Sequence, residues 1–302
     1  MPKLSRSRTA VYLVFLIIMW GVNWPLSKFA LEYTPPLLFA GLRTCIAGLL
    51  LILVALPRFR ELRFRQNWPI YLISSLLNIV LFYGFQTIGL GYVPAGLFSA
   101  IVFLQPVLLG IAAWLWLGEG MSGKKLIGLL LGFLGVAAIS IGGLAGHIAP
   151  EGIFLAIGSA VAWTLGTVYM KKTSGRVDTL WMTAIQITIG GIVLLASGAV
   201  VEDWTAIRWE PVFIYDMLFI SVFVIALGWL TFFKLIGSGE ASKVGSFTFL
   251  IPLIAITCSV LFLGEHVTLN LAAGLVLIVL SILLVNGKQR RLAARSSSTA
   301  QS

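Results

Sequence analysis

Trp20, Asn23, Trp24 and Ser27 recur at i, i+3, i+4 and i+7, so one face of a helix there carries two indoles, an amide and a hydroxyl. Asn78, Phe82 and Gln86 follow at four-residue steps with Tyr83 beside them, and Trp163, Thr167 and Trp229 add further aromatic and polar groups. Polar side chains deep in an apolar segment avoid hydrocarbon and face other helices or a water-filled space. Combined with aromatic rings, they suit the binding of a small solute that has both polar and apolar parts. The same groups can serve packing between helices, where each polar contact contributes about 0.6 kcal/mol.

Charged candidates are few. Arg43 is the one basic residue well within an apolar run. A guanidinium at that depth costs at least about 2.5 kcal/mol, so it is expected to hold a substrate carboxylate or to bond helix-end carbonyls and polar neighbours such as Gln186. Glu119 and Glu265 close two apolar runs, where a carboxylate caps or orients the next helix start. Proton coupling is their secondary reading. No Asp or Glu lies near the centre of a run, which leaves a proton relay little support. Pro106 and Pro252 fall inside apolar runs; a proline there removes a helix hydrogen bond and bends the axis, making both candidate hinges. His147 and His266 stand in short loops without ligand spacing, so no metal and no cofactor is expected. Cys45 and Cys258 read as buried thiols.

The elements that must position these groups follow from composition. Of 302 residues, 59% are hydrophobic and 11% charged, against about 25% charged in soluble domains. Apolar runs lie near 10–28, 36–56, 68–90, 94–117, 124–143, 150–171, 180–200, 211–236, 241–263 and 268–286. Each is long enough to be read as a span of roughly 20 residues. With the N-terminus inside, 18 of the 21 Lys and Arg residues fall on the inner side, Lys28 and Arg208 fall outside, and Arg43 lies within a span. That bias places both termini in the cytoplasm of a multi-pass cell-membrane protein. It also explains the net charge of +10 without a nucleic-acid partner, for which no folded face is available. Residues 287–302 read as a disordered cytoplasmic tail.

The two halves resemble each other. Phe103-Leu104-Gln105-Pro106 matches Phe249-Leu250-Ile251-Pro252 at an offset of 146, and Leu115–Glu119 matches Leu261–Glu265 at the same offset. At an offset of 143, Trp20 pairs with Trp163, Lys28 with Lys171 and Arg43 with Gln186. Five spans per copy, an odd number, require the second copy to insert upside down. Inverted repeats around a midplane site are a design of secondary transporters.

Trp20-Gly21 in the first span, the proline-containing fourth span ending in Leu-Gly-Glu, and the duplicated five-span unit resemble the drug/metabolite transporter superfamily, EamA type, over about residues 10–286. The resemblance implies an all-α polytopic membrane protein of ten transmembrane helices, with repeats at 10–143 and 150–286. It also implies export of amino acids, related metabolites or drugs. Trp20, Asn23, Asn78, Tyr83, Gln86, Trp163, Thr167 and Trp229 are the expected pathway residues. The expected partners are a small-molecule substrate and the lipid bilayer. Gly128 and Gly132, with Gly135 following, allow close helix packing within one chain or between two in a homodimer. The rival classes are an integral-membrane enzyme, which would need converging nucleophiles or metal ligands, and a non-transporting sensor or scaffold.

Overall fold

The computed structural model describes residues 4–89, 91–93, 98, 101–140, 149–254 and 269–287, with the side chains of all but 28, 139, 140 and 271. The described residues form helices and no strand. The helices are α1 (Arg6–Ala30), α2 (Pro36–Ala55), α3 (Phe64–Gly89), α4 (Gln105–Leu117), α5 (Gly123–Ser140), α6 (Pro150–Thr173), α7 (Thr179–Val201), α8 (Pro211–Ser238), α9 (Ala241–Ile254) and α10 (Leu269–Asn286). Pro36, Pro150 and Pro211 open their helices, where the missing N–H has no intrahelical partner to lose. Side-chain oxygens of Ser5 and Asp178 cap α1 and α7.

Six helices (α1, α2, α3, α6, α7 and α8) are long and apolar enough to cross a bilayer, while α4 and α9 are shorter apolar helices. Leu53, Val54, Phe154, Val200 and Leu283 stand among many large apolar side chains on outward faces. Helices close their own backbone hydrogen bonds, so such faces can meet lipid without an unsatisfied polar group. The chain is a multi-pass membrane protein.

Two long antiparallel contacts form the frame, α2 along α7 and α5 along α10. Both depend on missing side chains. A Cβ on Gly48 would lie 2.7 Å from the Thr188 nitrogen, and one on Gly191 would lie 2.7 Å from the Cys45 nitrogen. These contacts are reciprocal: adding 143 to Gly48 and Cys45 gives Gly191 and Thr188. On the other pair, a Cβ on Gly128 would lie 3.1 Å from the Ser281 oxygen and one on Gly135 would lie 2.8 Å from the Gly274 oxygen, reciprocal at 146. The Gly128–Gly135 face is thus filled within the chain by α10, with Phe249 against Gly132.

The prolines do not sit as expected. Pro106 lies in the first turn of α4, just after a non-helical turn at 103–104, and Pro252 follows a 3-10 turn at Thr248–Leu250 by two residues. Each stands where helix resumes after a break, so its missing N–H falls where little is lost. Among the described residues, Pro25 in α1 and Pro69 in α3 stand within unbroken helix. Two widened, π-type stretches were not anticipated: Leu76–Leu81 in α3 and Ile220–Leu227 in α8. Glu265, His147, His266, Cys258 and the tail from 288 lie outside the described residues.

Candidate functional site

A partly open cavity lies between the helices. Trp20, Asn23 and Trp24 of α1 line it, with Phe82, Tyr83 and Gln86 of α3, Trp163 of α6, and Val224 and Trp229 of α8. Val102, Phe103 and Ile251, beside the two broken segments, complete the wall. The α1 and α3 residues converge because their three- and four-residue spacing keeps them on one helix face.

The indoles form a mutually braced cluster. Trp20 meets Trp163 and Trp229 edge-on, each with ring centroids 5.5 Å apart, a favoured aromatic geometry. The Trp20 Nε1–H donates to the Val224 carbonyl at 3.1 Å, within the widened stretch of α8. Gly228 is required beside it, since a Cβ there would lie 2.5 Å from Trp20 Nε1. Trp229 Nε1–H donates to the Tyr83 hydroxyl at 3.0 Å. Trp20 and Trp163 are 143 residues apart, and Tyr83 and Trp229 are 146 apart, so residues at the two repeat offsets meet directly.

Two buried polar atoms on this wall have no hydrogen-bond partner: Gln86 Oε1 and Trp163 Nε1. One accepts and the other donates, so a solute offering one donor and one acceptor would satisfy both. Asn78 and Thr167 are placed elsewhere. Asn78 Nδ2 donates to Gln186 Oε1 at 3.2 Å, tying α3 to α7. The Thr167 hydroxyl bonds back to the Trp163 carbonyl at 2.8 Å. Neither is among the residues that line the cavity.

Arg43 is 2% exposed, and its hydrogen-bond partner is a polar neighbour on α1. Its Nη1 donates to Ser27 Oγ at 2.9 Å, and its guanidinium lies 4.7 Å from the Phe39 ring centroid and 4.9 Å from that of Tyr83. Ser27 in turn donates to Asn23 Oδ1 at 3.1 Å. A cation over ring faces keeps part of the stabilisation it loses on leaving water.

Glu119 is a cap, but not of the next helix. Its Oε1 accepts from the Ala241 N–H at 2.5 Å, and its Oε2 accepts from the Ser242 N–H at 3.2 Å and from the Ser242 hydroxyl. It therefore binds the start of α9, 122 residues away, where the helix dipole favours an anion. Buried Lys125 lies 3.7 Å from Glu119 and 3.6 Å from Glu240. Burial works against the Glu240 carboxylate, but Lys243 at 2.7 Å and Lys125 together hold it below the usual carboxylate range. Lys171 donates to the carbonyls of Ile236 and Gly239, closing the end of α8.

Sequence reasoning missed Asp216 and Glu202. Glu202 accepts from the N–H groups of Leu37 and Leu38 at 2.9 and 2.8 Å, capping α2 from the end of α7. Asp216, the sixth residue of α8, is 8% exposed with neither carboxylate oxygen hydrogen-bonded. An acid that close to the start of an apolar run reads from sequence as interfacial. Among the described residues, no group of three His, Cys, Asp or Glu side chains is arranged to hold a metal ion.

A solved crystal structure superposes with a TM-score of 0.82 at 21% identity, covering 96% of this chain and all of its own, which establishes a shared fold. The chain is 66% identical to the uncharacterised transporter YvbV of Bacillus subtilis, over 96% of this chain and 95% of that one. It is 28% identical to a probable amino-acid metabolite efflux pump of Salmonella typhimurium, over 94% and 97% of the two chains. It is also 28% identical to the S-adenosylmethionine/S-adenosylhomocysteine transporter of Chlamydia trachomatis, over 85% and 82%. The model of the EamA-like transporter family matches twice, at residues 7–141 and 150–287. With that double match spanning nearly its whole length, the chain belongs to the EamA-like transporter family.

Proposed function

We propose that this transporter exports small metabolites of mixed polar and aromatic character across the cell membrane by alternating access. The observation that carries the reading is the indole-lined cavity with its unpartnered Gln86 Oε1 and Trp163 Nε1. Among the described residues no charged side chain lines it, which favours solutes that are neutral or carry balanced charges. Amino-acid metabolites and related compounds, the cargo named for two of the relatives, fall within that range. Uptake into vesicles reconstituted with the purified protein, across a panel of amino acids, nucleosides and organic cations, tests the reading. Flux no greater than in empty vesicles for every compound would exclude it.

If the cavity binds substrate, Asn23→Leu and Gln86→Leu should each weaken affinity for a transported compound by about 1 kcal/mol with thermal stability nearly unchanged. A packing role predicts the reverse: lower stability and unaltered affinity.

We read the chain as ten spans in two inverted five-helix repeats, 10–143 and 150–286, with both termini cytoplasmic. The reciprocal glycine contacts and the double family match support that reading. In a background with Cys45 and Cys258 replaced, a cysteine at Arg60 should react with an impermeant maleimide only from the cytoplasmic side. One at Thr205 should react only from outside. Labelling of both from one face would remove the inverted topology.

A further inference from the structure

Behind the cavity wall, α2 and α8 bring the opposite charges of Arg43 and Asp216 near one another without joining them. Arg43 packs on the Phe39 ring, and Phe39 lies against Phe213 of α8 with ring centroids 6.4 Å apart, yet no ion pair joins Arg43 to Asp216. Arg43 spends one N–H on Ser27 and leaves Nε unpartnered, while Asp216 leaves both oxygens unpartnered. In a membrane span, an ionisable side chain is expected to be paired or to have a function, and its cost is relieved by a partner or by a proton.

The other charged and titratable groups around Asp216 are few. From α2 comes Arg43, and behind it Tyr83 of α3. On α8 itself Tyr215 is exposed. Beyond α1, Tyr33 stacks on Phe213 at 5.9 Å and carries Arg208 over its other contacts at 4.7 Å. α1 also carries Lys28, whose side chain lies outside the described set. Neither Arg43 nor Asp216 lines the cavity, so a solute does not reach them there, whereas a proton needs no such space.

What links the pair to the cavity is a chain of hydrogen bonds. Arg43 donates to Ser27, Ser27 donates to Asn23, and Asn23 lines the wall. Arg43 also lies against the face of Tyr83, another wall residue. Each bond in such a chain polarises the next, so a change at one end is felt at the other.

We infer that Asp216 is a proton-binding site and that its protonation state sets whether Arg43 holds Ser27 or turns to Asp216. With the proton on, the neutral acid leaves Arg43 to Ser27, and Asn23 stays fixed by the Ser27 hydroxyl. With the proton released to bulk water, the carboxylate draws the guanidinium away, Ser27 loses its donor, and Asn23 is free to turn. No covalent bond other than the Asp216 O–H is made or broken. The inference deepens the transporter reading, because it gives that cavity a proton-linked setting; the proton site itself is measurable without any substrate.

The test uses the full chain in lipid nanodiscs, with His147 and His266 replaced by Gln so that no imidazole contributes. Trp20, Trp24, Trp163 and Trp229 line the cavity, so intrinsic fluorescence reports its state. A reversible pH-dependent step is expected, and it should be lost in Asp216→Asn. A step that persists in Asp216→Asn, or no step in the parent protein, overturns the proposal. Should Asp216→Asn fail to fold, Ser27→Ala decides: deleting the present partner of Arg43 releases the guanidinium at every pH, so the step should lose most of its amplitude, and a full-sized step overturns the proposal. A step lost in the Asp216 variant alongside absent flux in vesicles would uphold the proton site while excluding transport.

Discussion

Replacing Gly41 with valine is expected to lower the stability of the folded protein by about 3 kcal/mol and to deplete monodisperse protein after detergent extraction. A Cβ at that position would lie 2.5 Å from both the nitrogen and the Cα of Leu195 on α7. The obstructing atoms are backbone, which cannot rotate aside as a flexible side chain can. The α2–α7 pair would have to separate along its length, taking the nearby Gly48–Thr188 and Gly191–Cys45 contacts with it. Gly123→Ala is the matched control, because a Cβ there meets nothing within 4 Å. Size-exclusion profiles and thermal unfolding of the two variants side by side measure the effect. Equal behaviour would show that the helix pair is not closely packed.

Glu119→Ala should cost about 3 kcal/mol, for a different reason. Removing the carboxylate strips acceptors from the first N–H groups of α9 and leaves buried Lys125 with the half-exposed Glu240 as its remaining counter-charge. Glu119→Gln restores an acceptor but not the charge, and should recover part of the loss. Thermal unfolding in nanodiscs ranks the three proteins, and an alanine variant as stable as the parent would refute the capping role. The pH dependence has a definite sign. The Glu240 carboxyl is held below its ordinary value in the folded state, so its contribution is fully present above that ordinary value. It is lost as pH falls through the lowered one. Acidification should therefore loosen the α8–α9 junction, and Lys243→Gln should move that loss toward higher pH.

Helix positions were legible because a bilayer imposes one length and one polarity on every span. The first span, read at 10–28, extends over Arg6–Ala30, and the seventh, read at 180–200, occupies Thr179–Val201. The periodic stripe of Trp20, Asn23 and Trp24 was legible for a similar reason, since spacing alone puts those residues on one face. What spacing cannot give is the identity of the opposite face. Arg43 finds Ser27 and two rings, and Glu119 caps a helix 122 residues on, because tertiary packing selects those partners. The breaks before Pro106 and Pro252 were hidden within uniformly apolar runs. The widened stretches of α3 and α8 have no composition of their own, and Asp216 was masked by its place near the start of a run.

Those widened stretches have a mechanical consequence. A π-type turn takes in more residues than an α turn, and each residue counts for about 100° of rotation around the axis. Tyr83 stands two residues past the stretch in α3, and Trp229 two residues past the one in α8. Rewinding either stretch by a single residue would therefore act as a cam, sweeping its ring through the space the two now share while the helix axis stays where it is. The interior can be reshaped by how residues are counted into turns, so the rods themselves need not tilt for the chamber to change its bore.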